Sequence, residues 1–471
     1  MMNRREFLRK TARHSAALAT TGLMASCSTV GQLTPSLHSK RRPNILLILT
    51  DQQNIDAIGA MGNPYLSTHH LDRLLQSGTA FTQSHSVCPV CSPARAALLT
   101  GRMPSENGVI TNDRPIREDL PDFGIWLRTA GYETTWCGKW HLPEAWPTRL
   151  KGFDVLPAGP GEGALADPLI ARQCEGYLRN HRDASQPFLL VASFMNPHDI
   201  CFWALQAAQM IPTEKDLPAD IDFFPPLPPN HKARPSAPAL LAKHSGFAGF
   251  TEQQWRYYLQ MYYRNCEMVD MQIGRVLDAL EDNQLCDNTV VIFTSDHGEG
   301  AGRHGNIQKW YPYDEAVKVP FIVAWKDHLP AGKREDRLIS GLDLFPTLCE
   351  LAQVPPPEVQ RGRSLLPLLQ GEALNWRSFI VAETHVCGRM LRTERHKYVE
   401  YRGDPVRQLF DMQNDPWEMQ NLATSAGREP LLAKLRDQLH GWEAHLACTQ
   451  PTSSAVPIAP WIQELIDAQY R

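Results

Sequence analysis

Two unbroken apolar runs, each ending in acid, constrain this chain most. Pro43-Asn44-Ile45-Leu46-Leu47-Ile48-Leu49-Thr50 leads into Asp51-Gln52-Gln53, and Thr289-Val290-Val291-Ile292-Phe293-Thr294-Ser295 leads into Asp296-His297-Gly298. A run without polar alternation fits a strand buried on both faces, as in the middle of a parallel sheet covered by helices. Polar residues at its carboxyl end fall where open α/β sheets place their ligands. Two such strands ending in carboxylates suggest a shared cation site.

Further units of the same kind lie between them. Asp122 to Ala130 predicts a helix, and Gly131-Tyr132-Glu133-Thr134-Thr135-Trp136-Cys137 predicts a strand running into Gly138-Lys139-Trp140-His141. Phe188 to Phe194 predicts another strand, ending at Asn196-Pro197-His198-Asp199. The helical period from Thr251 to Leu280 puts Trp255, Leu259, Tyr262, Met268, Ile273 and Leu277 on a core face. Pro212 to Pro238 is too rich in proline for either element and is expected to be an irregular excursion bordering the substrate cleft. After Leu369 come short strands at Phe379–Ala382, Met390–Thr393 and Lys397–Tyr401, a turn at Asn414-Asp415-Pro416, and a helix from Pro430 to Leu446. The order predicts an α/β fold with a mostly parallel central sheet flanked by helices, plus a small C-terminal α+β domain. Residues 1–40 fall outside the fold, 41–370 form the large domain and 371–471 the C-terminal unit. A net charge of −4 without long basic runs gives no footing for nucleic acid.

A cysteine is delivered to the first turn of a short helix by Pro89-Val90-Cys91-Ser92-Pro93-Ala94-Arg95-Ala96-Ala97-Leu98-Leu99-Thr100-Gly101-Arg102. Pro93 suits an early helical position, because its missing N–H has no intrahelical partner there, and Gly101 is a natural stop. Backbone N–H groups then point outward around Cys91, a site for a tetrahedral anion. Arg95, one turn on, can fork onto the same oxyanion. A buried, inert thiol is the plain alternative for a cysteine so placed.

Five places thus end in polar groups: Asp51, Cys91 with Arg95, Lys139 with His141, His198, and Asp296 with His297. Arg303-His304-Gly305-Asn306-Ile307-Gln308-Lys309 is a sixth, in a glycine-bounded loop. Singly, Asp51 reads as a helix N-cap, His198 as a turn residue and Lys139 as a solvated charge. Together and in this order they resemble the type I sulfatases, from Pro43 to about Leu422. The Cys91 stretch is similar to that family's signature, and Gly131-Tyr132 through His141 to its second motif, with Cys137 in place of a small or aliphatic residue. Val319-Pro320, Asp343-Leu344-Phe345-Pro346-Thr347-Leu348, and Leu409 through Leu422 resemble its later landmarks. The resemblance implies the alkaline-phosphatase-like fold and a sulfuric ester hydrolase.

It further implies that Cys91, not Cys88, is oxidised to Cα-formylglycine by a maturation enzyme. A divalent ion at Asp51 and Asp296 would clamp the sulfate, with Arg95 and Lys139 holding its oxygens. His198 or Lys309 would protonate the leaving oxygen, and His141 would take the proton whose loss expels sulfate. Gln52 stands where many sulfatases have a second Asp, and His297 where they have Asn. Gln52 can offer a carbonyl oxygen to calcium, whereas the His297 imidazole suits manganese or zinc. The expected metal set is Asp51, Gln52, Cys91, Asp296 and His297, with Ca2+ first and Mn2+ second. The same pairing also resembles choline sulfatases and phosphonate monoester hydrolases. The leading function is an exported sulfatase acting on a sulfated carbohydrate. The alternatives are a phosphonate monoester or phosphodiester hydrolase, and a lipoprotein that binds sulfated glycan without catalysis.

Asn3-Arg4-Arg5-Glu6-Phe7-Leu8-Arg9-Lys10 resembles a twin-arginine export signal, and the weakly apolar stretch after it is too short and polar to stay in a membrane. Met24-Ala25-Ser26-Cys27 resembles a lipobox, which would leave a lipid anchor on Cys27. A periplasmic protein or a membrane-anchored lipoprotein is expected. Of 11 cysteines, those other than Cys27 and Cys91 have no metal-like spacing and read as free thiols or a few disulfides.

Overall fold

The computed structural model describes residues 41–460 apart from 182–184, 206–213, 219, 239–249, 385–387, 402–403, 456 and 459, together with 463. The export signal and Cys27 lie outside the described residues.

Asn44–Asp51 (β1) forms the strand its apolar run predicts, buried at every residue. The chain then lays down β2 (Thr79–Phe81), β3 (Ser84–His85), β4 (Glu133–Gly138), β5 (Asp154–Leu156) and β6 (Phe188–Pro197). These are followed by β7 (Thr289–Ser295), β8 (Phe321–Ala324), β9 (Lys333–Glu335) and β10 (Ile339–Ser340). Eight of them form one sheet in the order β5-β4-β6-β1-β7-β8-β2-β9. The five from β5 to β7 are parallel, and β8 runs antiparallel to both its neighbours. The sheet is thus mostly parallel, with its fully apolar strands in the middle, where both faces are covered.

Register decides what meets at the carboxyl edge. Thr50 pairs with Ser295, so Asp51 and Asp296 follow side by side. Asp51 pairs with Pro197, which sets His198 on the other flank, and Gly138 pairs with Ser193, which sets Lys139 beyond that. Gly138 has a φ of +102°, and a Cβ there would stand 2.0 Å from the Ser193 carbonyl oxygen. Only glycine lets the chain turn Lys139 inward that close to β6.

The 31-residue helix Glu252–Asp282 covers one face, started by a capping box between Thr251 and Gln254. Trp255, Leu259, Tyr262, Ile273 and Leu277 are buried along it as their spacing predicts, but Met268 is 41% exposed. Val269, seven residues after Tyr262, takes the core position instead, because two helical turns return to one face in seven residues rather than six. Gly163–Asn180 is a second covering helix that the sequence pattern left unassigned, with Pro168 inside it.

Beyond residue 370, β11 (Phe379–Glu383), β12 (Gly388–Thr393), β13 (His396–Tyr401) and β14 (Arg407–Asp411) form an antiparallel meander. The helix Glu429–Glu443 inserts Leu435 and Leu439 among Val381, Leu391, Tyr398 and Leu409. The nine cysteines among the described residues are all free thiols, seven of them buried. No described helix is long and apolar enough to cross a membrane.

Candidate active site

Val90 is extended, and the helix Cys91–Thr100 begins directly after it, ending at Gly101 in the left-handed conformation with φ 65°. All ten helical residues are buried, so this is a core helix whose first turn faces the strand tips. The Cys91 sulfur lies 3.1 Å from His297 Nε2 and 3.8 Å from Asp51 Oδ1. One donor atom each from Asp51, Cys91, Asp296 and His297 falls within 4.8 Å of the others. His297 Nδ1 is 2.9 Å from the Gly298 carbonyl oxygen, which as a donor contact fixes the ring and leaves Nε2 toward the cluster.

Arg95 sits elsewhere than its spacing predicts. Its Nη2 donates to Asp51 Oδ2 (2.9 Å), its Nε to Asp296 Oδ2 (2.8 Å), and its Nη1 to the Lys139 carbonyl and Ser193 Oγ (2.9 Å each). The guanidinium is consumed beneath the cluster, 1% exposed, and ties the two carboxylates together rather than reaching an oxyanion. Lys139 Nζ, 2.8 Å from Asp51 Oδ2, is the cation beside the pocket. His141 and His198 both lie close enough to Cys91 for its charge to act on them. His141 Nε2 is 3.5 Å from Asp113, and the Nδ1 atoms of both histidines are buried without a partner.

Gln52 is the remaining member of the expected metal set. Its backbone is in the left-handed region (φ 72°), and its side chain lies between other groups. Its amide nitrogen donates to Glu299 Oε2 at 2.5 Å and lies 3.2 Å from the Cys201 sulfur, while its carbonyl oxygen accepts from Lys309 Nζ. Lys309 therefore joins the site through Gln52. Glu299, Cys201, Ser193 and Asp113 are site residues that sequence reasoning missed. Glu299 follows the Asp296-His297-Gly298 tip directly, which was the one available signal.

Burial pushes the Asp51 carboxyl up, but Lys139, His198 and Arg95 outweigh it and hold it well below the usual carboxylate range. Asp296 is pushed up to about 6, by burial first and then by the charge of Asp51. Burial and Asp51 raise the Cys91 thiol, yet Lys309, Lys139 and His297 hold it well below its ordinary value. Burial, reinforced by Lys139 and Lys309, lowers His198 to about 4. Burial disfavours the His141 cation, but Asp113 and Cys91 raise it overall. Lys309 is raised against its burial by Cys201, Cys91, Asp51 and Asp296.

The rest of the Arg303–Lys309 stretch turns away from the pocket. Arg303 pairs with Asp56 at 2.6 Å and lies over the Trp417 ring. His304 Nδ1 is 2.7 Å from Glu315 and its Nε2 3.1 Å from the Glu418 carbonyl. Burial lowers the His304 pKa, but Glu315 more than offsets this and the value ends above normal. A histidine raised by folding stabilises fully below its unfolded pKa of about 6.5 and loses that stabilisation as pH climbs through the folded value. The stability gap between wild type and His304→Gln is therefore expected to be widest below about pH 6 and to narrow above neutrality. Urea unfolding across a pH series checks this; a gap that widens with pH contradicts the ion pair. Pro226–Pro229 line a cleft of about 520 Å³ with Tyr65, Tyr263, Arg303 and Trp417, and none of Cys91, Lys139, His141 or His198 lines it.

A mostly parallel sheet that gathers carboxylates, an imidazole and a helix-borne residue at its central strand tips defines a hydrolase of the alkaline phosphatase superfamily. The family described as Sulfatase matches residues 43–354, and the one described as N-sulphoglucosamine sulphohydrolase, C-terminal, matches 302–445. The chain belongs to the sulfatase family, and it is a sulfuric ester hydrolase. It is 30% identical to a Delta 4,5-hexuronate-2-O-sulfatase of Bacteroides thetaiotaomicron, over 85% of this chain and 88% of that protein. It is 26% identical to an ulvan-active sulfatase of Formosa agariphila, over 91% and 85% respectively. A solved 2-O GAG sulfatase superposes with a TM-score of 0.74 at 28% identity, covering 86% of this chain and 92% of that one. A phosphonate monoester hydrolase of Agrobacterium radiobacter superposes with a TM-score of 0.72 at 24% identity over 88% and 100%, a likeness of fold alone. Membership of an enzyme family sets aside the reading of a glycan binder without catalysis.

Proposed function

We propose that the protein is an exported sulfatase that removes sulfate from a sulfated carbohydrate, with Cys91 matured to formylglycine. In this reading a divalent ion, Ca2+ ahead of Mn2+, is held by Asp51, Asp296, His297 and residue 91, with the Gln52 carbonyl oxygen as a fifth donor. The observation that carries it is the gathering of the first four of these donors within 4.8 Å at the start of a helix. Arg95 occupies Oδ2 of each carboxylate, leaving Asp51 Oδ1 toward Cys91 and Asp296 Oδ1 on the backbone N–H groups of Gln52 and His297. Two carboxylate oxygens suit a hard divalent cation, and one imidazole nitrogen keeps manganese in contention. The carbohydrate substrate is supported by relatives named for hexuronate 2-O-sulfate and for ulvan. Export rests on the Asn3–Lys10 signal, with Cys27 as the lipid-bearing residue.

Once bound, the ion would draw charge from the sulfate and acidify the hydrated aldehyde, which supplies one hydroxyl to attack sulfur and a second to expel it. The Lys139 ammonium faces the charge that builds on the sulfate oxygens. Lys309 and His198 are the two candidates to protonate the departing alcohol oxygen. His141, raised and braced by Asp113, accepts the proton lost from the second hydroxyl.

The test is mass spectrometry of the residue-91 peptide from protein made in its own host, joined to turnover of three substrates. A formyl group is expected, with sulfated sugars and 4-nitrophenyl sulfate turned over faster than an aryl phosphonate monoester. Active native enzyme with an intact thiol would refute the nucleophile. Faster phosphonate turnover would make the phosphonate hydrolase the better reading.

A further inference from the structure

We propose that the cleft lined by Tyr65, Tyr263 and Trp417 is a second carbohydrate site, which holds an anionic stretch of polysaccharide apart from the residues that release sulfate. The class of its occupant rests on the reading of the substrate as a sulfated carbohydrate; its place rests on the cleft itself. The proline-rich excursion was expected to border the substrate cleft, and its Pro226–Pro229 stretch lines this one instead. At about 520 Å³ the cleft falls within the range of about 300–1,000 Å³ usual for small-molecule sites. Asn54 and Ala301 form part of its wall, so it lies against the loops that leave β1 and β7.

A pyranose ring is amphipathic, with apolar C–H faces and hydroxyl edges. Aromatic rings cover the faces, and fixed polar groups take the edges. Tyr65 is 45% exposed, and its backbone is held from both sides. Its N–H donates to Asn63 Oδ1 at 3.0 Å, and its carbonyl oxygen accepts from Arg264 Nη2 at 3.2 Å. Asn63 Nδ2 in turn donates to the Asp56 carbonyl oxygen at 2.8 Å. Trp417 belongs to the C-terminal unit and sits in a turn whose Asp415 carboxylate accepts from the Met419 and Gln420 N–H groups (3.0 and 2.9 Å). Its carbonyl oxygen accepts from Asn230 Nδ2 at 3.0 Å, which ties it to the excursion. Platforms fixed through their backbone lose little freedom when a ligand settles on them.

The charges of the cleft are not all committed. Arg303 is paired with Asp56 at 2.6 Å, and Asp314 with Lys397 at 2.5 Å. Lys318 also lines the cleft, and among the described residues it forms no ion pair; it acts on Asp314 only at longer range. One ammonium is thus left for a sulfate or a uronate carboxylate. Asn54 donates through Nδ2 to the Glu299 carbonyl oxygen at 3.2 Å, while its buried Oδ1 has no partner, an acceptor suited to a hydroxyl. Rings, a cation and an acceptor together select an anionic sugar. A chain held there keeps its other units close to the active site and raises their effective concentration.

The test reads binding apart from turnover. Native gels are cast with ulvan, with chondroitin sulfate or with neutral dextran. Wild type and Cys91→Ala are expected to be retarded alike by at least one of the two anionic polymers and not by dextran. Tyr65→Ala, Trp417→Ala and Lys318→Ala should each lose at least about fivefold in affinity for that polymer, whereas Trp417→Phe, which keeps a ring, should hold most of it. The same three alanine variants should raise KM for the polymer about tenfold while leaving turnover of 4-nitrophenyl sulfate within about twofold of wild type. Tyr65 is exposed, so Tyr65→Ala keeps the test alive if Trp417→Ala fails to fold. Alanine variants that migrate like wild type, retardation by dextran as strong as by the anionic polymers, or a wild type retarded by neither would overturn the proposal. A wild type retarded through these residues that releases no sulfate would refute the sulfatase reading and leave the cleft standing.

Discussion

Cys91→Ala is expected to remove turnover almost completely, by about 10⁴-fold or more, since a nucleophile is lost while the surrounding machinery stays. The loss should fall on kcat, because Lys139, His141 and His198 still bound the pocket. Cys91→Ser discriminates further. A serine hydroxyl can attack sulfur once and release the alcohol, but the resulting sulfate ester has no second hydroxyl on its carbon. It cannot collapse to a carbonyl and push sulfate out, so a hydrated aldehyde does what a serine cannot. One equivalent of alcohol is therefore expected from Cys91→Ser, followed by arrest, with one SO3 added to the residue-91 peptide by mass spectrometry. Cys88→Ala is the control and should keep most of its turnover. Sustained catalysis by the serine variant would show that release does not need the aldehyde.

How far these positions could be read in advance depended on what kind of force places each one. Asp51 and Asp296 were legible because a fully apolar strand fixes its own depth and parallel pairing fixes its direction. The polar residues after it then have only one edge to occupy. Cys91 was legible because Pro93 and Gly101 mark a helix start and stop locally. Arg95 was half legible: helical spacing put it on the face of Cys91, but what lies opposite that face comes from β1, β4, β6 and β7. Glu299 was illegible for the same reason, since a glutamate after glycine reads as a solvated loop residue. It is buried by Tyr258 from a helix 41 residues earlier in the chain. Gly163–Asn180 hid its period behind Pro168, which the helix tolerates near its start. The landmark Asp343 proved structural, with its carboxylate held by Arg377 and by the Ser340 and Arg363 N–H groups.

Arg95 offers the second large effect, and it separates two accounts of one residue. If the guanidinium gripped the sulfate directly, as its spacing predicts, Arg95→Lys would weaken binding, raise KM and leave the fold untouched. The structure puts it instead between two buried carboxylates, where Lys139 reaches Asp51 alone. Arg95→Met then leaves Asp296 Oδ2 buried without its guanidinium partner. Breaking a buried ion pair by removing one partner costs about 3–5 kcal/mol, and urea unfolding in EDTA should show a loss of that order. Adding Ca2+ or Mn2+ should recover part of it, because an ion that binds only the folded state stabilises by mass action. The rise in Tm on adding the ion should therefore be larger in Arg95→Met than in wild type. Arg95→Lys keeps the charge but lacks the planar fork, and one ammonium cannot span both carboxylates as well as the Lys139 carbonyl and Ser193 Oγ. It should lose kcat by about 10²-fold or more along with Tm, at nearly unchanged KM. A raised KM with normal Tm and kcat would return Arg95 to the sulfate, and the two carboxylates would then need another explanation for their common alignment.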